Sequence, residues 1–149
     1  MVLKGLDEPA IESLAARVAG ALRPGDAVVL SGEVGAGKTT FVRAAVRALG
    51  VAGRVTSPTY QFARGYAGRL DGRPITVNHL DLYRLEGLEA EDVLEFEDYL
   101  GPDAVTFIEW AGPALDAIED PTTVHLGHET STTRRATVRG PVEGRLSLC

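Results

Sequence analysis

Gly32-Glu33-Val34-Gly35-Ala36-Gly37-Lys38-Thr39 reads as G-x-x-x-x-G-K-[ST] without a mismatch, the pattern of a loop whose backbone cradles phosphate oxygens. Its surroundings fit that reading. Asp26-Ala27-Val28-Val29-Leu30-Ser31 is a short, β-branched apolar run, as a buried strand requires. From Thr39 to Leu49, the apolar residues Val42, Ala45, Val46 and Leu49 fall on one helical face, and Gly50 follows as a stop. Strand, glycine loop and helix are the context the motif needs.

The residue types follow from the chemistry. Gly35 and Gly37 let the backbone curl so that successive N–H groups point inward. The helix start adds partial positive charge. Lys38 is placed to reach the β- and γ-phosphates of a nucleotide, and the Thr39 hydroxyl to ligate Mg²⁺. Glu33, Val34, Gly35, Ala36, Gly37, Lys38, Thr39 and Thr40 are therefore the candidate nucleotide-binding residues. The loop does not reveal how the phosphate energy is used.

At 149 residues the chain is expected to form one domain, residues 1–149, with room for a real core. Its 44% apolar and 24% charged residues are ordinary for a globular protein. A formal net charge of -6 argues against a general electrostatic grip on nucleic acid. The single cysteine, Cys149, excludes an internal disulfide framework and thiolate clusters. No apolar stretch approaches the roughly 18 residues of a membrane span, and no leader pattern opens the chain. A cytoplasmic protein without a membrane partner is the expectation.

The rest of the chain reads as alternating elements. Asp7-Glu8-Pro9 opens a helix whose stripe is Ile11, Leu14, Ala15, Val18, Ala19 and Leu22. Residues 60–66 and 74–83 read as two strands of a hairpin, joined by Ala67–Arg73 with its turn-like Asp71-Gly72. Leu88–Leu100 reads as an acidic helix ended by Gly101-Pro102. Ala104–Ile108 is a second buried-strand run closing on Glu109-Trp110. Thr123–Leu126, Ala136–Val138 and Leu146–Leu148 suggest two or three closing strands. These elements give an α/β fold class whose sheet is mixed rather than purely parallel.

A phosphate loop alone only binds; hydrolysis or transfer also needs a carboxylate to order the metal and a group to position the attacking oxygen. Asp81 ends one extended run and Glu109 directly follows another. Ligands of open α/β sheets sit beyond the carboxyl ends of the strands, so both carboxylates are candidates. His79 shares a strand face with Asp81 by the two-residue period, and a His–Asp pair can orient one another; a hydrogen-bonded structural histidine is the plainer reading. Ser57-Pro58-Thr59 lies about twenty residues beyond Lys38, where switch segments of phosphate-loop proteins respond to the γ-phosphate. Trp110, the only tryptophan, reads as packing or a partner contact.

Gly-Glu-Val-Gly-Ala-Gly-Lys-Thr-Thr at 32–40, Ser-Pro-Thr-Tyr at 57–60, His-Leu-Asp-Leu-Tyr-Arg at 79–84 and Ile-Glu-Trp at 108–110 stand in that order. Together they resemble the bacterial TsaE (YjeE) family, the ATPase component of tRNA threonylcarbamoyladenosine biosynthesis. The resemblance runs from about residue 10 to residue 112. It implies a three-layer α/β phosphate-loop fold with a mixed, mostly parallel central sheet, antiparallel closing strands and no separate lid domain. It implies ATP with Mg²⁺, with Lys38 on the phosphates and Thr39 and Glu109 at the metal. Asp81 matches the family's essential aspartate, Thr59 its switch-like threonine and Trp110 its tryptophan. It implies two protein partners, a catalytic TsaD-like subunit and its inactive TsaB-like paralogue, with tRNA met only indirectly. The role implied is to drive or reset that complex between turnovers. One departure is visible: family members tend to carry a glycine where Glu95 or Phe96 stands.

Other functions fit less well. A small-molecule kinase usually adds an arginine-bearing lid and an acceptor insertion, for which the chain is too short. A GTPase would carry Asn-Lys-x-Asp, which is absent from the sequence. A module that binds nucleotide without chemistry is separated from an ATPase by activity measured with and without partners.

Overall fold

The computed structural model describes residues 1–33, 35–52, 63–81, 100–109 and 118–146. Strand β1 (Val2–Leu6) is followed by helix α1 (Glu8–Gly20), strand β2 (Ala27–Ser31) and helix α2 (Lys38–Ala48). Strands β3 (Ala63–Leu70), β4 (Arg73–Asp81), β5 (Ala104–Glu109), β6 (Thr122–His128) and β7 (Arg134–Arg139) complete one sheet, and a short helix α3 (Pro141–Leu146) follows. The sheet order is β1-β7-β6-β2-β5-β4-β3. The centre is parallel: β2 lies between β6 and β5, and β5 pairs β4 in the same sense. Antiparallel β7 and β1 close one side and antiparallel β3 the other. The expected mixed α/β sheet is therefore observed.

Local chemistry sets the elements next to the loop. Asp7 caps α1, its Oδ1 accepting from the Ala10 N–H at 3.0 Å, and Pro9 sits in the first turn. All six residues of the predicted α1 stripe are buried, in one cluster with Phe41, Val42, Ala45 and Val46 of α2. These helices cover the sheet face that carries Val28, Leu30, Val77, Val105, Phe107, Val124 and Leu126. On the other face Ala27, Val29, Leu80 and Ile108 are buried as well, as parallel strands covered on both sides are. No helix among the described residues is long and apolar enough to cross a membrane.

Three expectations change in detail. The hairpin turns at the expected Asp71-Gly72, but the strands close right up to it, β3 running through Leu70 and β4 starting at Arg73. Both turn residues have positive φ, 52° and 76°, and this twist lets a two-residue turn join the strands directly. Among the described residues the tail gives two of the two or three expected strands, and Leu146 ends α3 instead of opening a third, with residues 147–148 of that run outside the described residues. Pro141 fits a first helical turn, and Val142 and Leu146, four apart, bury the same face. Strand β1 was not expected. It pairs with β7, and the Met1 α-amino group donates to Val138 O at 3.0 Å and to Glu143. Those charge-assisted bonds hold the Glu143 carboxyl below its ordinary value. The acidic helix, apart from Leu100, and residues 60–62 of the hairpin lie outside the described residues.

Candidate functional site

The loop leaves the sheet at the carboxyl end of β2. Gly32 has φ 140°, and a Cβ there would meet the Leu126 carbonyl oxygen of β6 at 2.2 Å, so no larger residue fits. Gly37 is the N-cap of α2 in the left-handed region, φ 105°, with no side-chain cap. Its carbonyl accepts the Phe41 N–H at 2.9 Å, the first helical bond. The N–H groups of the first turn of α2 consequently have no capping side chain, which is the electrostatic basis of an anion site. Lys38, 8% exposed, turns its ammonium back to the Gly32 carbonyl. The cation is thus held over the mouth of its own loop. Thr39 is exposed on the first turn of α2, and Thr40 is half-buried.

The carboxylates join this site through strand register. Leu30, two residues before the loop, pairs with Glu109, and Glu109 pairs with Asp81. Neighbouring strands lie about 4.8 Å apart, so Glu109 stands one strand from the root of the loop and Asp81 two. Paired residues share a face, and Leu30 lies in the core under the helices, so both carboxylates project on the α2 side. Glu109 is buried, whereas Asp81 is half-buried at the end of β4. A threonine hydroxyl and a carboxylate are hard oxygen donors, the set that suits Mg²⁺. Among the described residues no group of three or more His, Cys, Asp or Glu is placed to hold a metal ion.

His79 is a buried, hydrogen-bonded histidine, the plainer of the two readings, and its partner is not Asp81. It shares a face with Asp81, but its Nε2 lies 2.7 Å from Glu109 Oε2 on the neighbouring strand. Thr59, Ser57, Val34 and Trp110 lie outside the described residues.

Two features escaped the sequence reading. Arg134, at the start of β7, donates from Nη2 to the Gly35 carbonyl at 3.2 Å and so braces the outer side of the loop. Beside it is a half-open cavity of about 350 Å³ lined by Leu6, Ile11, Gly37, Thr40, Thr132 and Arg134, among others. The sequence offers no periodic signal for either, because their residues come from three separate segments of the chain, around Leu6–Ile11, Gly35–Thr40 and Ser131–Arg134.

A family model described as "Threonylcarbamoyl adenosine biosynthesis protein TsaE" matches residues 6–137. The chain belongs to the TsaE family. The TsaE protein of Streptomyces coelicolor is 40% identical over 136 residues, covering 87% of this chain and 90% of that protein. TsaE of Mycobacterium bovis is 41% identical over 103 residues, 66% of this chain and 61% of the relative. Its counterpart in Bacillus subtilis is 37% identical over 100 residues, 67% and 60% respectively. The crystal structure of Bacillus subtilis YdiB superposes with a TM-score of 0.69 over 99% of this chain and 89% of that one, at 23% identity. That likeness supports the fold. The family match reaches beyond residue 112 to include β6 and most of β7, and so takes in Arg134.

Proposed function

We propose that this TsaE-family chain binds ATP with Mg²⁺ on residues 33–40 and hydrolyses it in tRNA threonylcarbamoyladenosine biosynthesis. The observation that carries the reading is the meeting of three elements at one sheet edge. The glycine loop with Lys38 ends β2, Glu109 ends the next strand, and Asp81 ends the one after. Lys38 and the α2 N-terminus meet the phosphates. Thr39 and Glu109 would hold Mg²⁺, which would supply charge neutralisation for the phosphates. Asp81, one strand further out, positions the attacking water or the Thr59 switch segment. The half-apolar cavity walled by Leu6, Ile11 and Arg134 takes the base, on the outer side of the loop.

The pathway half of the proposal rests on the family. A net charge of -6 does not favour tRNA binding by the isolated chain, so the contact to the pathway runs through TsaD-like and TsaB-like protein subunits. Nucleotide state is passed to them by the segment around Thr59. The test is ATP turnover by the purified protein, alone and with both subunits, alongside tRNA binding at several salt concentrations. Slow turnover alone, stimulation by the two subunits together, and weak, salt-sensitive tRNA binding are expected. Turnover indifferent to both subunits would remove them as partners.

A further inference from the structure

Among the described residues one side chain, that of His79, holds Glu109. His79 Nε2 approaches its Oε2 to 2.7 Å, and the two residues are only 1% and 5% exposed. A carboxylate oxygen accepts, so the Nε2 hydrogen donates, and in the neutral ring Nδ1 is the bare nitrogen. That Nδ1 is buried and has no hydrogen-bond partner. Leaving a buried polar atom unmet costs about 1–3 kcal/mol. The position lies opposite Phe107, in a strand pair whose neighbouring residues Val77 and Val105 are buried and apolar. An apolar side chain would fill such a place without that cost, and buried polar pairs are often matched in stability by apolar replacements. Stability therefore does not account for the pair, since two apolar residues in its place would serve as well.

We infer that His79 is a positioning residue for the metal carboxylate. Its Nε2–H pins Oε2 of Glu109 and thereby turns Oε1 toward the ion or an ion-bound water. This inference rests on the ATP–Mg²⁺ reading and deepens it. The carboxylate otherwise has to lose its side-chain rotational freedom when the ion arrives. With one oxygen already tied to the strand next door, that ordering is complete beforehand. Outer partners of ligating groups contribute in this way, with losses of about 10–100-fold in metal affinity when removed.

The test uses Mn²⁺ as the probe, with free Mn²⁺ read by electron paramagnetic resonance in the presence of a saturating non-hydrolysable ATP analogue. His79→Phe and His79→Leu keep bulk without a donor. His79→Gln returns an N–H near the position of Nε2. The donor-less variants are expected to bind Mn²⁺ about tenfold more weakly or worse, with His79→Gln recovering most of that loss. Analogue affinity measured in EDTA should stay at the wild-type value in all three. In a Glu109→Ala background, His79→Phe should cost nothing further, because two residues acting through one contact are not additive. The inference is overturned if the donor-less variants keep wild-type Mn²⁺ affinity while Glu109→Ala loses it. It is also overturned if their losses add in full to that of Glu109→Ala. A fall of metal-free analogue binding and thermal midpoint in step with Mn²⁺ affinity would assign His79 a purely structural role. Unchanged Mn²⁺ affinity in Glu109→Ala itself would remove the carboxylate from the metal site, and this inference with it.

Discussion

Lys38→Ala is expected to abolish productive binding of ATP–Mg²⁺. The lysine side chain is nearly buried, and its ammonium already sits against the Gly32 carbonyl at the loop mouth. No large conformational change is needed to bring it onto the β- and γ-phosphates. Hydrogen bonds to charged groups contribute about 1.5–3 kcal/mol each, and at about 1.4 kcal/mol per decade the loss of two such contacts is a hundredfold or more. The fold should survive, because alanine favours the first turn of α2 and no core residue is removed. Calorimetric titration with ATP and Mg²⁺ reads the result directly. Wild-type affinity in Lys38→Ala would place the nucleotide elsewhere.

The two carboxylates are expected to separate binding from turnover. Asp81 stands two strands from the loop and is half-buried, whereas Glu109 is adjacent to β2 and buried. Asp81→Ala should bind ATP nearly as well as the wild type. Its single-turnover hydrolysis should fall by about a hundredfold or more, the range for a group that positions or accepts a proton from the attacking oxygen. Glu109→Ala should instead lose Mg²⁺-dependent binding while keeping the residual metal-free affinity. Hydrolysis at the wild-type rate in Asp81→Ala would end the positioning role, even with its place in the sheet unchanged.

What the sequence disclosed was whatever depends on neighbours in the chain. The stripe of α1, the capping Asp7, the run into β2 and the glycine loop are local patterns, and each appears where the pattern put it. Glu109 and Asp81 were legible because each ends a recognisable apolar run. The remainder depends on pairings between distant segments. Strand β1 carries a register irregularity between Leu3 and Leu6 and finds its partner at Arg134–Thr137, so no local alternation announces it. The bond from His79 to Glu109 depends on the β4–β5 register, which the two-residue period of a single strand cannot supply; that period pointed to Asp81 instead. Arg134 reaches Gly35 across 99 positions. Leu146 joined a helix because Val142, four residues earlier, shares its buried face, and the short apolar run at the end of the chain was equally compatible with a strand.

The central claim is that this ATP site serves formation of threonylcarbamoyladenosine in tRNA. Its most direct test is nucleoside mass spectrometry of tRNA from cells depleted of the protein and carrying no redundant copy. The modified nucleoside is predicted to disappear on depletion, to return with the wild-type chain, and to stay absent with Lys38→Ala. Normal levels of the modification after depletion would contradict the claim.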